Sequence, residues 1–180
     1  MLALLNAVKS GEIPSSEVTV VISDRQSAAG LVKASELGVE TVVVERNGRM
    51  RQEHDAEIVG VLKERGVELV CLAGYMRLLS RDFIRAFPDR IINIHPSLLP
   101  AFPGLDAQKQ AFDHGVKITG CTVHFVNEDL DAGPIILQRA VLVQPDDTAE
   151  TLAARILVEE HKAYVEAVRQ IQSGRTAKHA

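Results

Sequence analysis

Short apolar runs alternate along this chain with segments whose apolar residues recur every three or four positions. "EVTVVIS" (17–23), "VETVVVE" (39–45), "VELVCLAG" (67–74) and "RIINI" (90–94) read as strands. "MLALLNAVKSG" (1–11), "SAAGLVKASELG" (27–38) and "RQEHDAEIVGVLKERG" (51–66) read as helices, each closed by a glycine. Leu2, Leu5 and Val8 fall on one face of the first; Ile58, Val59 and Leu62 form the stripe of the third. The run 67–74, apolar but for Glu68, suits a central parallel strand. Ser80 can cap "RDFIRAF", which stops before Pro88. A short helix is expected from Asp106 to about Gly115. "ITGCTVHFV" and "PIILQRAVLV" are separated only by "NEDLDAG", too little chain for a crossover, so an antiparallel pair is expected. A long helix closes the pattern, with Asp147 and Glu150 as a capping box and Gly174 at its end. Strands alternating with helices predict an α/β fold with a mostly parallel sheet.

Composition narrows what such a domain does. With 180 residues and 46% hydrophobic content, the chain suits one globular domain, 1–180, with a substantial core. A net charge of −4 with no run of basic residues argues against nucleic acid as a partner. Cys71 and Cys121 sit apart in apolar runs and read as reduced core thiols, which points to the cytoplasm. No apolar run reaches the ~18 residues of a membrane span. The N-terminus lacks the basic region and cleavage pattern of a signal peptide.

The chemistry concentrates in two stretches. In "RIINIHPSLLPAFPG", Asn93 and His95 are two apart on a strand and so face one side, at the carboxyl end where open parallel sheets hold ligands. An Asn amide can donate to an oxyanion, and a His can donate a proton or a second hydrogen bond. Spacing alone leaves open whether they do this or only satisfy backbone groups. Pro96, Pro100 and Pro103 make the following loop stiff and unable to join the sheet. The second stretch, "EDLDAGP", is an acidic turn, or it supplies a carboxylate that holds His95 as a cation. His124 is read as a core histidine or a second wall of the same cleft. Arg77, after the third strand, is read as meeting an acidic ligand or as solvated. His54, His114 and His179 are read as surface residues. No H-x-x-x-H or C-x-x-C spacing occurs, so no metal site is expected.

Taken together, "NIHPSLLPAFPG", "AGYMRLLS", "TVHFVNEDLDAGPIILQ" and "EEHKAY" resemble the phosphoribosylglycinamide formyltransferases, folate-dependent enzymes of purine synthesis. The resemblance runs from Met1 to about Gly174 and implies a Rossmann-like sheet with helices on both faces. It implies that Asn93, His95 and Asp131 are the catalytic trio. The co-substrate, 10-formyltetrahydrofolate, would be held by Asn93, by Asn127, Glu128, Asp129, Leu130 and Asp131, by Met76, Arg77, Leu78 and Leu79, and by Arg51. Leu157, Val158, Glu159 and Glu160 would face the acceptor, glycinamide ribonucleotide. The implied alternatives are a formyltetrahydrofolate hydrolase and a non-catalytic folate-binding remnant. The family opens with a strand and a G-x-G-S-N-type phosphate loop; this sequence has neither, and the expectation is that upstream DNA encodes them. Oligomeric state is left open.

Overall fold

The computed structural model describes residues 1–174. These fall into two compact units: Met1–Val70 with Arg77–Arg90, and Cys71–Met76 with the chain from Ile91 onward.

The first unit contains α1 (Leu2–Lys9), β1 (Val20–Ser23), α2 (Ala29–Glu36), β2 (Glu40–Val43), α3 (Arg51–Glu64) and α4 (Arg81–Ala86). β1 and β2 pair in parallel, from Val20 opposite Glu40 to Ser23 opposite Val43. α2 packs on this pair and against α1, and α3 packs against α4. The core takes Leu4, Leu5, Ala7, Ile13, Leu31, Ala34, Val44, Ile58, Leu62, Phe83 and Phe87. α1 therefore turns Leu4, Leu5 and Ala7 inward, where the sequence reading places Leu2, Leu5 and Val8; Leu2 and Val8 are only half-buried. Ser80 caps α4 as expected, its hydroxyl accepting the Phe83 N–H at 3.3 Å.

β3 (Val70–Leu72) starts in the first unit and ends in the second. The second unit then holds β4 (Ile91–His95), α5 (Ala107–His114), β5 (Ile118–Phe125), β6 (Ile135–Leu142) and α6 (Ala149–Gln172). The strands form a sheet of order β3-β4-β5-β6, separate from the β1-β2 pair. β5 is antiparallel to β6, as the short connection requires, and is antiparallel to β4 as well. Gly120 on β5 allows the close approach of β6: a Cβ there would stand 1.9 Å from the Arg139 carbonyl oxygen. α6 lies against β5 and β6 and buries Leu152, Ile156, Ala163, Tyr164, Val165 and Ala167. The Tyr164 hydroxyl is shared between the carbonyls of Leu72, at 2.7 Å, and Ile92, at 3.1 Å, which ties α6 to the ends of two strands. The cap of α6 is Thr148 rather than Asp147. Thr148 Oγ1 accepts the Thr151 N–H and Thr151 Oγ1 accepts the Thr148 N–H, while Asp147 accepts the Gln144 N–H.

Both cysteines are free, Cys121 buried and Cys71 half-buried. Burial pushes each thiol up to about 12, so neither is a ready nucleophile. Among the described residues no helix is long and apolar enough to cross a membrane.

Candidate active site

The strand register of the second unit brings its polar side chains into rows. Asn93 stands opposite His124, and His95 opposite Thr122, between β4 and β5. Residues directly opposite in an antiparallel pair share a face, so all four side chains project from the same side of the sheet. The turn from Asn127 to Gly133 then folds back. Asp131 adopts a left-handed backbone, φ 49°, and Gly133 packs so tightly that a Cβ would meet the Phe125 carbonyl oxygen at 1.8 Å. This turn delivers one carboxylate to the row. Asp131 Oδ2 lies 3.3 Å from His95 Nδ1 and accepts the Gly104 N–H at 2.9 Å.

Both ring nitrogens of His95 now face oxygen acceptors. Nδ1 faces the Asp131 carboxylate and Nε2 lies 2.8 Å from the Phe102 carbonyl oxygen. A carbonyl oxygen only accepts, so Nε2 carries a hydrogen; a carboxylate oxygen at Nδ1 favours a second. His124 is wired differently. Its Nδ1 donates to the Phe125 carbonyl oxygen at 2.9 Å, leaving Nε2 as the acceptor for the Asn93 amide at 3.4 Å. That is a neutral imidazole, and burial holds it below its ordinary range. His124 is thus a buried core histidine that also touches the cluster, its Nε2 3.8 Å from Asp131 Oδ1.

Asn93 is half-buried and keeps part of its surface open beside two side chains that are nearly closed off. An amide donor, an imidazole N–H and a carboxylate behind the ring are the parts that can stabilise a tetrahedral oxyanion.

Glu128, Asp129 and Leu130 are exposed on the turn, and the Asp129 N–H is held by Asn127 Oδ1 at 3.1 Å. Leu157 and Val158 are exposed on α6. Glu159 is paired with Arg139 at 3.2 Å and Lys162 at 2.6 Å. Glu160 is half-buried, and burial raises its carboxyl above the usual range. Arg51, the exposed first residue of α3, and Arg77–Leu79 belong to the first unit.

His54 is a correction. It is fully buried, with Nε2 donating to the Val44 carbonyl oxygen at 2.7 Å and Nδ1 accepting from the Arg77 guanidinium at 3.3 Å. Arg77 is therefore half-buried against a histidine. Asp55 beside it is buried too and accepts the Ser80 N–H at 2.7 Å. His114 is exposed as expected, its ring edge-on to Phe102 at 5.7 Å, and His179 lies outside the described residues. The sequence reading missed Gly104 and Phe102, which act through backbone groups and leave no side-chain signal.

The formyl transferase family matches residues 1–168, nearly the whole described chain. The chain belongs to the formyl transferase family. The chain is 41% identical over 153 residues to the phosphoribosylglycinamide formyltransferase of Bacillus subtilis, covering 84% of this chain and 78% of that protein. It is 45% identical over 175 residues to the trifunctional purine biosynthetic protein adenosine-3 of Gallus gallus, covering 96% of this chain. It spans only 17% of that longer protein's length. Among solved structures, glycinamide ribonucleotide transformylase 1 from Symbiobacterium toebii superposes with a TM-score of 0.93 at 53% identity, covering 96% of this chain and 82% of that one. The formyl transferase fold expected from the sequence is the one observed.

Proposed function

We propose that this chain transfers the formyl group of 10-formyltetrahydrofolate to the primary amine of glycinamide ribonucleotide, a step of purine synthesis. The observation that carries the reading is His95, with Nδ1 3.3 Å from the Asp131 carboxylate and Nε2–H on the Phe102 carbonyl, on the same strand face as the Asn93 amide. The matching relatives support the choice of donor and acceptor by the names they carry.

In the proposed reaction the amine nitrogen attacks the formyl carbon and a tetrahedral oxyanion forms. Asn93 Nδ2–H and His95 Nε2–H donate to it. The Nε2–H is held by the Phe102 carbonyl, so the oxyanion draws it from a weaker neutral acceptor to a charged one. Asp131 keeps the ring oriented and cationic. Collapse breaks the bond from the formyl carbon to N10 of the folate, and the proton lost by the amine reaches N10 through water. The products are the formylated ribonucleotide and tetrahydrofolate.

The ligand contacts belong to the same proposal. The turn Asn127–Asp131 and Met76 bind the folate, and the family resemblance assigns Arg51 and Arg77–Leu79 to the same ligand. Leu157–Glu160 face the ribonucleotide. The raised carboxyl of Glu160 fits a group whose charge lacks solvation and gains from a hydroxyl donor. We read residues 1–180 as one working domain because the family match crosses both units. Small-molecule partners and a cytoplasmic setting complete the reading; the unreactive buried thiols favour the latter.

The test is a formyl-transfer assay on the purified protein. Tetrahydrofolate should appear in step with formylated glycinamide ribonucleotide and should not accumulate without the acceptor. Release at the same rate with and without acceptor would make the chain a hydrolase, and folate binding with no turnover would make it a remnant.

A further inference from the structure

We infer that Gln138 is a positioning residue for His95 and Asp131, acting through a brace that fixes the loop from Ser97 to Gly104. The row His95–Thr122 continues onto β6, where Gln138 stands opposite Thr122. The Gln138 amide uses both hydrogens: one goes to the Leu99 carbonyl oxygen at 2.9 Å, the other to Thr122 Oγ1 at 3.0 Å. The fully buried Thr122 hydroxyl in turn donates to the Ser97 carbonyl oxygen at 2.7 Å and accepts the Leu99 N–H at 3.0 Å. Its one hydrogen and two lone pairs are then all used. Three backbone groups at the start of the proline loop are thereby pinned to the sheet.

The far end of that loop carries the two backbone groups that set the cluster. The Phe102 carbonyl accepts from His95 Nε2, and the Gly104 N–H donates to Asp131. Between them, the buried Ser97 hydroxyl donates to the Ala101 carbonyl, with a longer approach to that of Phe102 at 3.4 Å. Phe102 sits in a left-handed backbone, φ 54°, a conformation that needs surrounding contacts to hold it. The brace supplies them from the opposite end. Gln138 is itself an exposed residue on the outer strand of the sheet. Replacing it leaves the core untouched, yet loses both bonds that come from outside the loop and β5.

The inference rests on the proposed catalytic role of His95 and Asp131, and its test is built to fail separately. Gln138→Met keeps the length and removes both donors; Gln138→Glu keeps the shape and sets a carboxylate against the Leu99 carbonyl. In each, kcat for formyl transfer to glycinamide ribonucleotide should fall about tenfold, as the loss of two hydrogen bonds allows, with KM for both substrates within about twofold. The His95 ring nitrogen signals in long-range proton–nitrogen NMR spectra should move in both variants. Unchanged kcat and unchanged His95 signals would overturn the inference, as would a lowered Tm with His95 unmoved. If His95→Ala itself keeps full turnover, the catalytic reading fails, while the NMR shift still decides whether Gln138 positions the ring.

Discussion

Among the described residues, two buried histidine–aspartate neighbourhoods stand one in each unit, and they differ in what the imidazole faces. On α3, His54 and Asp55 have side chains 0% and 1% exposed and stand 3.8 Å apart. His54 has one acceptor and one donor as partners, Val44 O and Arg77, and the Asp55 carboxylate accepts from the start of α4. In the second unit, His95 and Asp131 are 6% and 10% exposed and 3.3 Å apart. Here both ring nitrogens face acceptors, and the neighbouring Asn93 is half open. The same two residue types therefore do different work. The first pair closes a structure around itself; the second leaves a donor that a better acceptor can claim.

Substitutions can break or sharpen that contrast. Asp131→Ala removes the partner of His95 Nδ1 and the acceptor of the Gly104 N–H together. We expect kcat to fall by about 10²–10³-fold with smaller changes in KM, read from steady-state formyl transfer. A fall in KM-linked binding alone would move Asp131 from the reaction to the folate site.

His54→Ala should do the converse. It empties a fully buried site and strands the Val44 carbonyl, so stability should drop by about 2–3 kcal/mol in urea unfolding. Turnover of the folded fraction should stay within a few-fold of the parent. Turnover lost without loss of stability would put His54 in the reaction and dissolve the contrast.

The smallest effect concerns His124. Burial holds its folded-state value below the 6.5 of an exposed histidine, against opposing pulls from the Phe125 carbonyl and Asp131. The unfolded chain then binds the proton more readily, so stability from this group is present above about 6.5 and is lost as pH falls through and below it. Tm should decline on acidification from pH 7 to about 5, and decline less in His124→Gln.

Much of this was legible in the residues. Asn93 and His95 are two apart on an apolar strand, and that spacing alone puts them on one face. Ser80 announces α4 by the hydroxyl that a helix start needs. Asp131 was visible as a carboxylate but not as the one that arrives, because its position depends on the register of β4 against β5 and on a left-handed turn residue. Glu128 and Asp129 are carboxylates of equal promise in the sequence, and both are exposed on the turn. His54 was misread although its signal was present: it sits four residues before Ile58 and eight before Leu62, on the stripe α3 buries. At this position periodicity outweighs the polarity of the residue type. Gln138 gave no signal, since nothing in an alternating strand marks which exposed amide will find a loop carbonyl.

The measurement that bears most directly on the central claim is single-turnover formyl transfer to glycinamide ribonucleotide by His95→Ala, with substrates saturating. The account predicts a chemical step slower by about 10²–10³-fold, equivalent to roughly 2.7–4 kcal/mol of lost transition-state stabilisation, in a variant that still folds and binds folate. A chemical step as fast as that of the parent chain would contradict it.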